Sequence, residues 1–316
     1  QDKTTPMCRN QAFQAFPELL SHNSRYSPVK LIGYGAYSTV CSARKKSTGE
    51  EVAIKKIQDW KSNPNEVVRT IREVDIMRHF YACSETLQLQ EIIVPDNDRE
   101  PENLLLVTEK MDYDLDSLIK TKFISFSLRK NILHSIIRGL YILHQSNIVH
   151  RDIKPKNILI KDDRVVLADF GMARGIKKKH QRRLSMLHYT TSPYYRPPEG
   201  FLKCYQYGSE VDVWALGCMW IEMILGKQYF RITDKSVDPL FKIFGVCNVN
   251  RKSKDIIESL PIPEEQKTRG ITLLKSYFKQ KTHPNLYQLL ENTNASIEEI
   301  ELLQKIFQLD PSKRIS

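Results

Sequence analysis

No C-x-x-C pair occurs in this sequence, and none of its six cysteines stands beside a histidine at metal-ligand spacing. That excludes a zinc ribbon, and so sparse a set in a long chain suggests a reducing compartment. Long apolar runs are missing too: the most apolar stretch, Val213 to Gly226, is too short to cross a bilayer and carries Glu222. The chain begins at Gln1 with no signal-peptide core, as a trimmed start would. Internal repeats and low-complexity tracts are also absent. The expectation is a soluble protein, cytoplasmic or nuclear, with no membrane partner.

What is present is ordinary globular composition. Hydrophobic residues make up 41% and charged residues 27% of 316 positions, which favours one large domain or two lobes. The net charge of +11 admits nucleic acid, an anionic surface or an acidic partner. It gathers in runs such as Lys177-Lys178-Lys179 with Arg182-Arg183, and no nucleic-acid-reading motif accompanies it. No specific nucleic-acid partner is therefore expected, and a steep salt dependence of nucleic-acid binding would be the sign of that rival reading.

Phe13, Phe16, Leu19 and Leu20 can form a short packed segment or belong to a tail of residues 1–25. From Tyr26 to Lys56 the chain reads as strands. Val29 to Ile32 leads into a glycine-rich turn and Ser38 to Ala43 leads out; Ser47-Thr48-Gly49-Glu50 turns into a third strand, Glu51 to Ile57. Asn63 fits a helix N-cap, Pro64 the first helical position and Glu66 the place of a capping-box carboxylate, with Val67, Ile71, Val74 and Arg78 as one stripe. Leu104 to Thr108 is a further apolar strand. Later segments are helical. Ser127 can cap a helix carrying Ile132, Ile136, Leu140 and Leu143; Ser209 with Asp212 can cap Val213 to Leu225, which is apolar all round and must be buried. Gly226 stops it. Strands first and helices later imply an α+β chain with a small sheet-rich lobe and a larger helical one.

Chemistry-bearing residues recur through this layout. Gly33-Tyr34-Gly35 between two strands lets backbone N–H groups approach phosphate, and is equally at home in a plain hairpin. Lys55, in Val52-Ala53-Ile54-Lys55, needs a partner on its apolar strand, and Glu73 on the next helix is a candidate. His150-Arg151-Asp152-Ile153-Lys154-Pro155-Lys156-Asn157 is the strongest signal: Asp152 can orient an attacking hydroxyl, Lys154 can neutralise a moving phosphoryl group, and Asn157 offers oxygen to a hard metal ion. Asp169-Phe170-Gly171 adds another oxygen ligand, and Pro197-Pro198-Glu199 closes the segment.

In this order, over about residues 26 to 316, these motifs resemble the protein-kinase signature set. The resemblance implies a two-lobed kinase fold, with lobes at 26–110 and 111–316 and an activation segment at 169–199. It implies ATP and Mg²⁺ as cofactors. Catalysis would fall to Asp152, Lys154, Lys55 and Glu73, and the metal to Asn157 and Asp169. Nucleotide contacts would come from Ile32, Gly33, Gly35, Val40, Ala53, Lys55, Thr108, Glu109, Met111, Asp114, Leu159 and Asp169. Asp212 would support the backbone around Asp152, and Glu199 would pair with Arg314. Lys154 is similar to the serine/threonine branch.

Arg69-Thr70-Ile71-Arg72-Glu73 resembles mitogen-activated protein kinases of the CMGC group, as do Tyr194-Tyr195-Arg196, an insert at about 248–284 and Asp310 to Ile315. The resemblance implies protein substrates with Ser-Pro or Thr-Pro sites and an upstream activating kinase. It also implies residues beyond the last one given. The Thr-x-Tyr of that group is Leu187-His188-Tyr189 here, Pro193 stands where an arginine is usual, and Pro197 replaces alanine. Tyr189 remains a candidate phosphosite, gripped by Arg151 and Arg196. The run Lys177 to Arg183 is a docking site for an acidic partner, a nuclear-import patch or a solvated loop. The alternative to an active kinase is a pseudokinase scaffold that binds nucleotide without turnover.

Overall fold

The computed structural model describes residues 11, 12, 14–20, 24–35, 38–61, 63–95, 103–176, 192–204, 207–231, 237–280 and 283–316. Two compact units share the chain: Gln1–Tyr113 with Leu159–Gly171, and Asp114–Ile158 with Met172–Ser316.

The first unit is built on a five-stranded antiparallel sheet. Its strands are β1 (Tyr26–Tyr34), β2 (Ser38–Lys45), β3 (Glu51–Ile57), β4 (Leu89–Ile93) and β5 (Leu104–Glu109), in the order β1-β2-β3-β5-β4. Alternation decides which face is covered. Cys41, Ala43, Val52, Ile54, Leu105 and Val107 are fully buried on it, together with Phe16 and Leu19 of the N-terminal segment. Of the two readings of that segment, packing is the one realised. Lys56 fastens it, with Nζ 2.7 Å from Glu18 and 3.1 Å from the Ala15 carbonyl. Phe13 and the Leu20 side chain lie outside the described structure. The short edge strand β4, with Leu89 alone buried in it, has no counterpart in the sequence reading.

Helix α1 (Pro64–His79) starts as expected: Asn63 accepts the Asn65 N–H and Pro64 takes the first position. Two details differ. Glu66 pairs with Arg69 at 2.6 Å instead of closing a capping box. The buried face is Thr70, Glu73, Ile76 and Met77, not the stripe through Val67 and Ile71, whose isoleucine is half exposed. Packing selects the face that delivers Glu73 to Lys55. Strands β6 (Ile158–Lys161) and β7 (Arg164–Leu167) form a hairpin, and Leu167 joins the unit by exchanging backbone bonds with Leu87 and Glu85.

The second unit is mostly helical. Its α-helices among the described residues are α2 (Leu115–Thr121), α3 (Phe126–Gln145), α4 (Pro198–Phe201), α5 (Glu210–Leu225), α6 (Leu240–Val246), α7 (Ser253–Ser259), α8 (Glu264–Gln280), α9 (Leu286–Leu290) and α10 (Ile297–Ile306). The stretch 248–284 thus contributes α7 and α8. In α5, 13 of 16 residues are buried, and Gly226 at φ +67° ends it in the left-handed conformation that glycine adopts freely. Gly217 lets α10 come close: a Cβ there would stand 2.6 Å from Ile306.

Two cap assignments are corrected. Ser125, not Ser127, caps α3, because it has the extended backbone a cap requires and accepts the Leu128 N–H. Ser209 precedes α5 with helical angles and makes no side-chain cap, and the Asp212 carboxylate is used elsewhere. Arg314 forks onto Glu199 at 2.6 Å through both nitrogens and lies over the Trp214 ring. No helix among the described residues is long and apolar enough to cross a membrane.

Candidate active site

In the first unit the site is assembled around Lys55. Strand register places Lys55 opposite Val40 on β2 and Leu106 on β5, so the lysine rises from the middle of the sheet. Its ammonium donates to both oxygens of Glu73, at 2.7 and 2.8 Å, and lies 4.0 Å from Asp169. Burial alone would lower the lysine, but the charges of Glu73 and Asp169 outweigh it and hold the ammonium above its usual range. Burial pushes the Glu73 carboxyl up; Lys55 opposes that and the Asp169 charge adds to it. Asp169 sits at φ +64°, beside a fully buried Phe170. Arg72 holds the following turn by donating to the Gly171 carbonyl at 2.9 Å.

The glycine turn closes with Gly35 N–H donating to the Ser38 carbonyl at 2.7 Å. A Cβ on Gly35 would be 2.9 Å from the Ser38 hydroxyl, which would have to turn aside, and 3.5 Å from the Ser38 carbonyl. Gly33 pairs with Val40 and Ala53 with Thr108, while Ile32 is exposed and Leu159 half-buried. Thr108 and Met111 are buried. The Glu109 side chain has a structural task that its position in the sequence does not announce. It receives Arg164 and the Gln88 N–H, tying β5 to β7, while Arg164 also reaches the Ser84 carbonyl.

In the second unit Asp152 is buried, with Lys154 Nζ 2.6 Å from its carboxylate. Asn157 Nδ2 donates to the Asp152 carbonyl at 2.8 Å and to its carboxylate at 3.0 Å. Asp212 supports the same segment from α5. Its oxygens accept the backbone N–H groups of His150 at 2.8 Å and Arg151 at 2.7 Å, and His144 lies 2.9 Å away. Arg151 is thereby held at φ +69°, a conformation costing a non-glycine residue about 1–3 kcal/mol. Asp114 caps α2 through the Ser117 N–H at 2.6 Å.

Arg151 donates to the Met172 carbonyl and stacks over Tyr207, and Arg196 stacks over Phe201. Tyr189 and the basic run Lys177 to Arg183 lie outside the described residues. The sequence reading missed Arg72, His144 and the Tyr195–Glu222 hydrogen bond; no local pattern marks them, since each partner is distant along the chain.

Comparison with known proteins places this arrangement. Residues 26–316 match the protein kinase domain family. Mitogen-activated protein kinase 2 of Arabidopsis thaliana is 34% identical over 98% of this chain and 79% of its own length. Mitogen-activated protein kinase 4 of Oryza sativa subsp. japonica is 34% identical over 94% of this chain and 77% of its own. Extracellular signal-regulated kinase 1 of Dictyostelium discoideum is 31% identical over 92% of this chain and 53% of its own. With its antiparallel-sheet lobe and helical lobe, the chain belongs to the protein kinase family, as a serine/threonine kinase of the mitogen-activated protein kinase type.

Proposed function

We propose that the chain transfers the γ-phosphoryl group of Mg·ATP to serine or threonine hydroxyls followed by proline, in partner proteins of a signalling cascade. The observation that supports it most is Lys55, charged and clamped by both oxygens of Glu73 with Asp169 at 4.0 Å. That ammonium is fixed to hold phosphate oxygens. Asp152 aligns the acceptor hydroxyl and accepts its proton, and Lys154 beside it offsets the charge that moves. Ile32, Gly33, Gly35, Val40, Ala53, Leu159 and the backbone at Glu109 and Met111 are assigned to the nucleotide, with Thr108 behind them and Asp114 toward the ribose.

The donors present suit magnesium. Asn157 uses its Nδ2 on Asp152, which leaves its amide oxygen without a hydrogen bond among the described residues. The Asp169 side chain is 46% exposed. Each is an oxygen donor of the hard kind that magnesium takes beside phosphates and water. No cluster of three or more metal-binding side chains occurs among the described residues, and that ion needs none. When bound, it would neutralise phosphate charge. Asn157 and Asp169 would hold it.

Proline direction rests on kinship with the mitogen-activated kinases and on Arg196. Kinship likewise supports an upstream kinase, with Tyr189 as the proposed target and Arg151 and Arg196 as its anchors. The deciding experiment is transfer of labelled γ-phosphate to paired Ser-Pro and Ser-Ala peptide libraries, with Asp152→Asn as the blank. Label on Ser-Pro peptides that disappears in the blank is expected. Equal label on both libraries would remove proline direction, and no label after treatment with upstream kinases would remove catalysis.

A further inference from the structure

Arg151 is buried, with 8% of its surface exposed, yet no carboxylate pairs with its guanidinium among the described residues. Among the described residues it donates once, to the Met172 carbonyl at 3.3 Å, and its Nε has no hydrogen-bond partner. A guanidinium stays charged, and a buried charge needs compensation. Here the compensation comes from an aromatic face: the guanidinium carbon lies 5.1 Å from the centre of the Tyr207 ring. Burial keeps the Tyr207 phenol above its usual range, against the charges of Arg151 and Arg174, so the ring is neutral.

Tyr207 stands just ahead of α5, the helix whose Asp212 accepts the Arg151 N–H. One short segment therefore grips Arg151 twice, by its backbone and by its side chain. The residue so gripped is left-handed and precedes Asp152 directly. Rotation at Arg151 would carry the Asp152 carboxylate with it.

We propose that Tyr207 is a positioning residue: its ring holds the buried Arg151 and thereby fixes Asp152 for phosphoryl transfer. The proposal rests on the kinase reading above. It is the ring that matters, so phenylalanine should serve and an aliphatic side chain should not.

The test compares wild type, Tyr207→Phe and Tyr207→Leu in the full chain. Tyr207→Leu should lower kcat by about 10²-fold, the cost of a small misplacement at the reacting centre, with KM for ATP within about twofold. Tyr207→Phe should retain most of the wild-type kcat. Amide hydrogen exchange is read on the same proteins at 150–153 and across α5. Leucine should speed exchange at 150–153 while α5 stays protected, and phenylalanine should not. Should Tyr207→Leu lose protection throughout, Tyr207→Met replaces it. A wild type without transfer would end the kinase reading, and the exchange comparison would still decide the role of Tyr207. Equal behaviour of leucine and wild type in both measurements overturns the proposal. So does a phenylalanine variant as impaired as leucine, which would assign the effect to the hydroxyl.

Discussion

The hydroxyl of Tyr195 donates to Glu222 across 2.6 Å, and both side chains are buried. Tyr195 belongs to the segment closing on Pro198 and Glu199, Glu222 to the core of α5, and Gln228 adds a 3.2 Å bond to the same hydroxyl. Burial pushes the Glu222 carboxyl from 4.5 up to about 7; the Tyr195 bond and Lys120 oppose the rise and Asp116 adds to it.

A carboxyl whose folded pKa lies above its unfolded value binds its proton more tightly in the native state. The associated stability is fully present below about pH 4.5 and is lost as pH rises through about 7. Glu222→Gln keeps an acceptor for Tyr195 and abolishes the titration. Its melting temperature should fall less between pH 5 and 8 than that of wild type, with a gain at pH 8 of at most about 3 kcal/mol. Parallel profiles for the two proteins would show that Glu222 titrates as it does in the unfolded chain.

The clamp on Lys55 makes a kinetic prediction. Lys55→Met removes the only ammonium bonded to Glu73 among the described residues, and should lower kcat/KM by about 10²–10³-fold, as loss of a transition-state donor does. Glu73→Gln keeps the lysine but loosens it, so a smaller loss is expected. The two act as a unit, and the double variant should be no worse than Lys55→Met alone. Multiplicative losses in steady-state kinetics would show that they work independently.

Lys55 and Glu73 were legible in the sequence because each falls in a motif whose local structure follows from simple rules: an alternating strand, then a capped helix. The face of α1 was not. Periodicity weighs apolar residues and so favours Ile71, whereas the buried face is set by an ion pair and by Thr70, Ile76 and Met77. The serines misled for a related reason. Ser125 and Ser127 both satisfy the compositional rule, and only backbone angles separate them; Ser209 satisfies it and has the wrong angles. Asp212 was placed correctly beside the Asp152 segment by resemblance, and wrongly as a cap by local pattern. Tyr207, Arg164 and Glu222 gave no signal, because their partners come from remote parts of the chain.

Asp212 accepts two successive backbone N–H groups while Arg151 is left-handed, so its charge sustains a conformation the chain would otherwise leave. Asp212→Asn offers one acceptor oxygen where two are needed. Transfer should fall by about 10–10²-fold, with nucleotide affinity little changed, since the loss is one of alignment at Asp152. Separate measurement of kcat and of ATP binding checks this; a fall in affinity with kcat intact would contradict it.

Arg129 and Glu299 supply the sharpest test of stability. Arg129 is fully buried, and its Nε and one terminal nitrogen each lie 2.7 Å from a carboxylate oxygen of Glu299, 170 residues away in sequence. Trp220 Nε1 at 2.9 Å and the Ser296 N–H at 3.0 Å complete the carboxylate's bonds. Burial would raise the Glu299 pKa, but the bonds from Arg129, Ser296 and Trp220 win and hold it below the usual range. Arg129→Met leaves a buried carboxylate with no counter-charge, at a cost of about 3–5 kcal/mol in urea unfolding at pH 7. The double variant Arg129→Met, Glu299→Met should lose less than the two single losses combined, because neither charge is left alone. Acid provides the check on sign. A depressed carboxyl stabilises above its unfolded pKa of about 4.5 and loses that contribution as pH falls through its lower folded value. In Arg129→Met the carboxyl titrates higher, so wild type loses its advantage on acidification. The gap between the two proteins should narrow from pH 7 to pH 4; a constant gap would mean that the arginine stabilises by packing and not by charge.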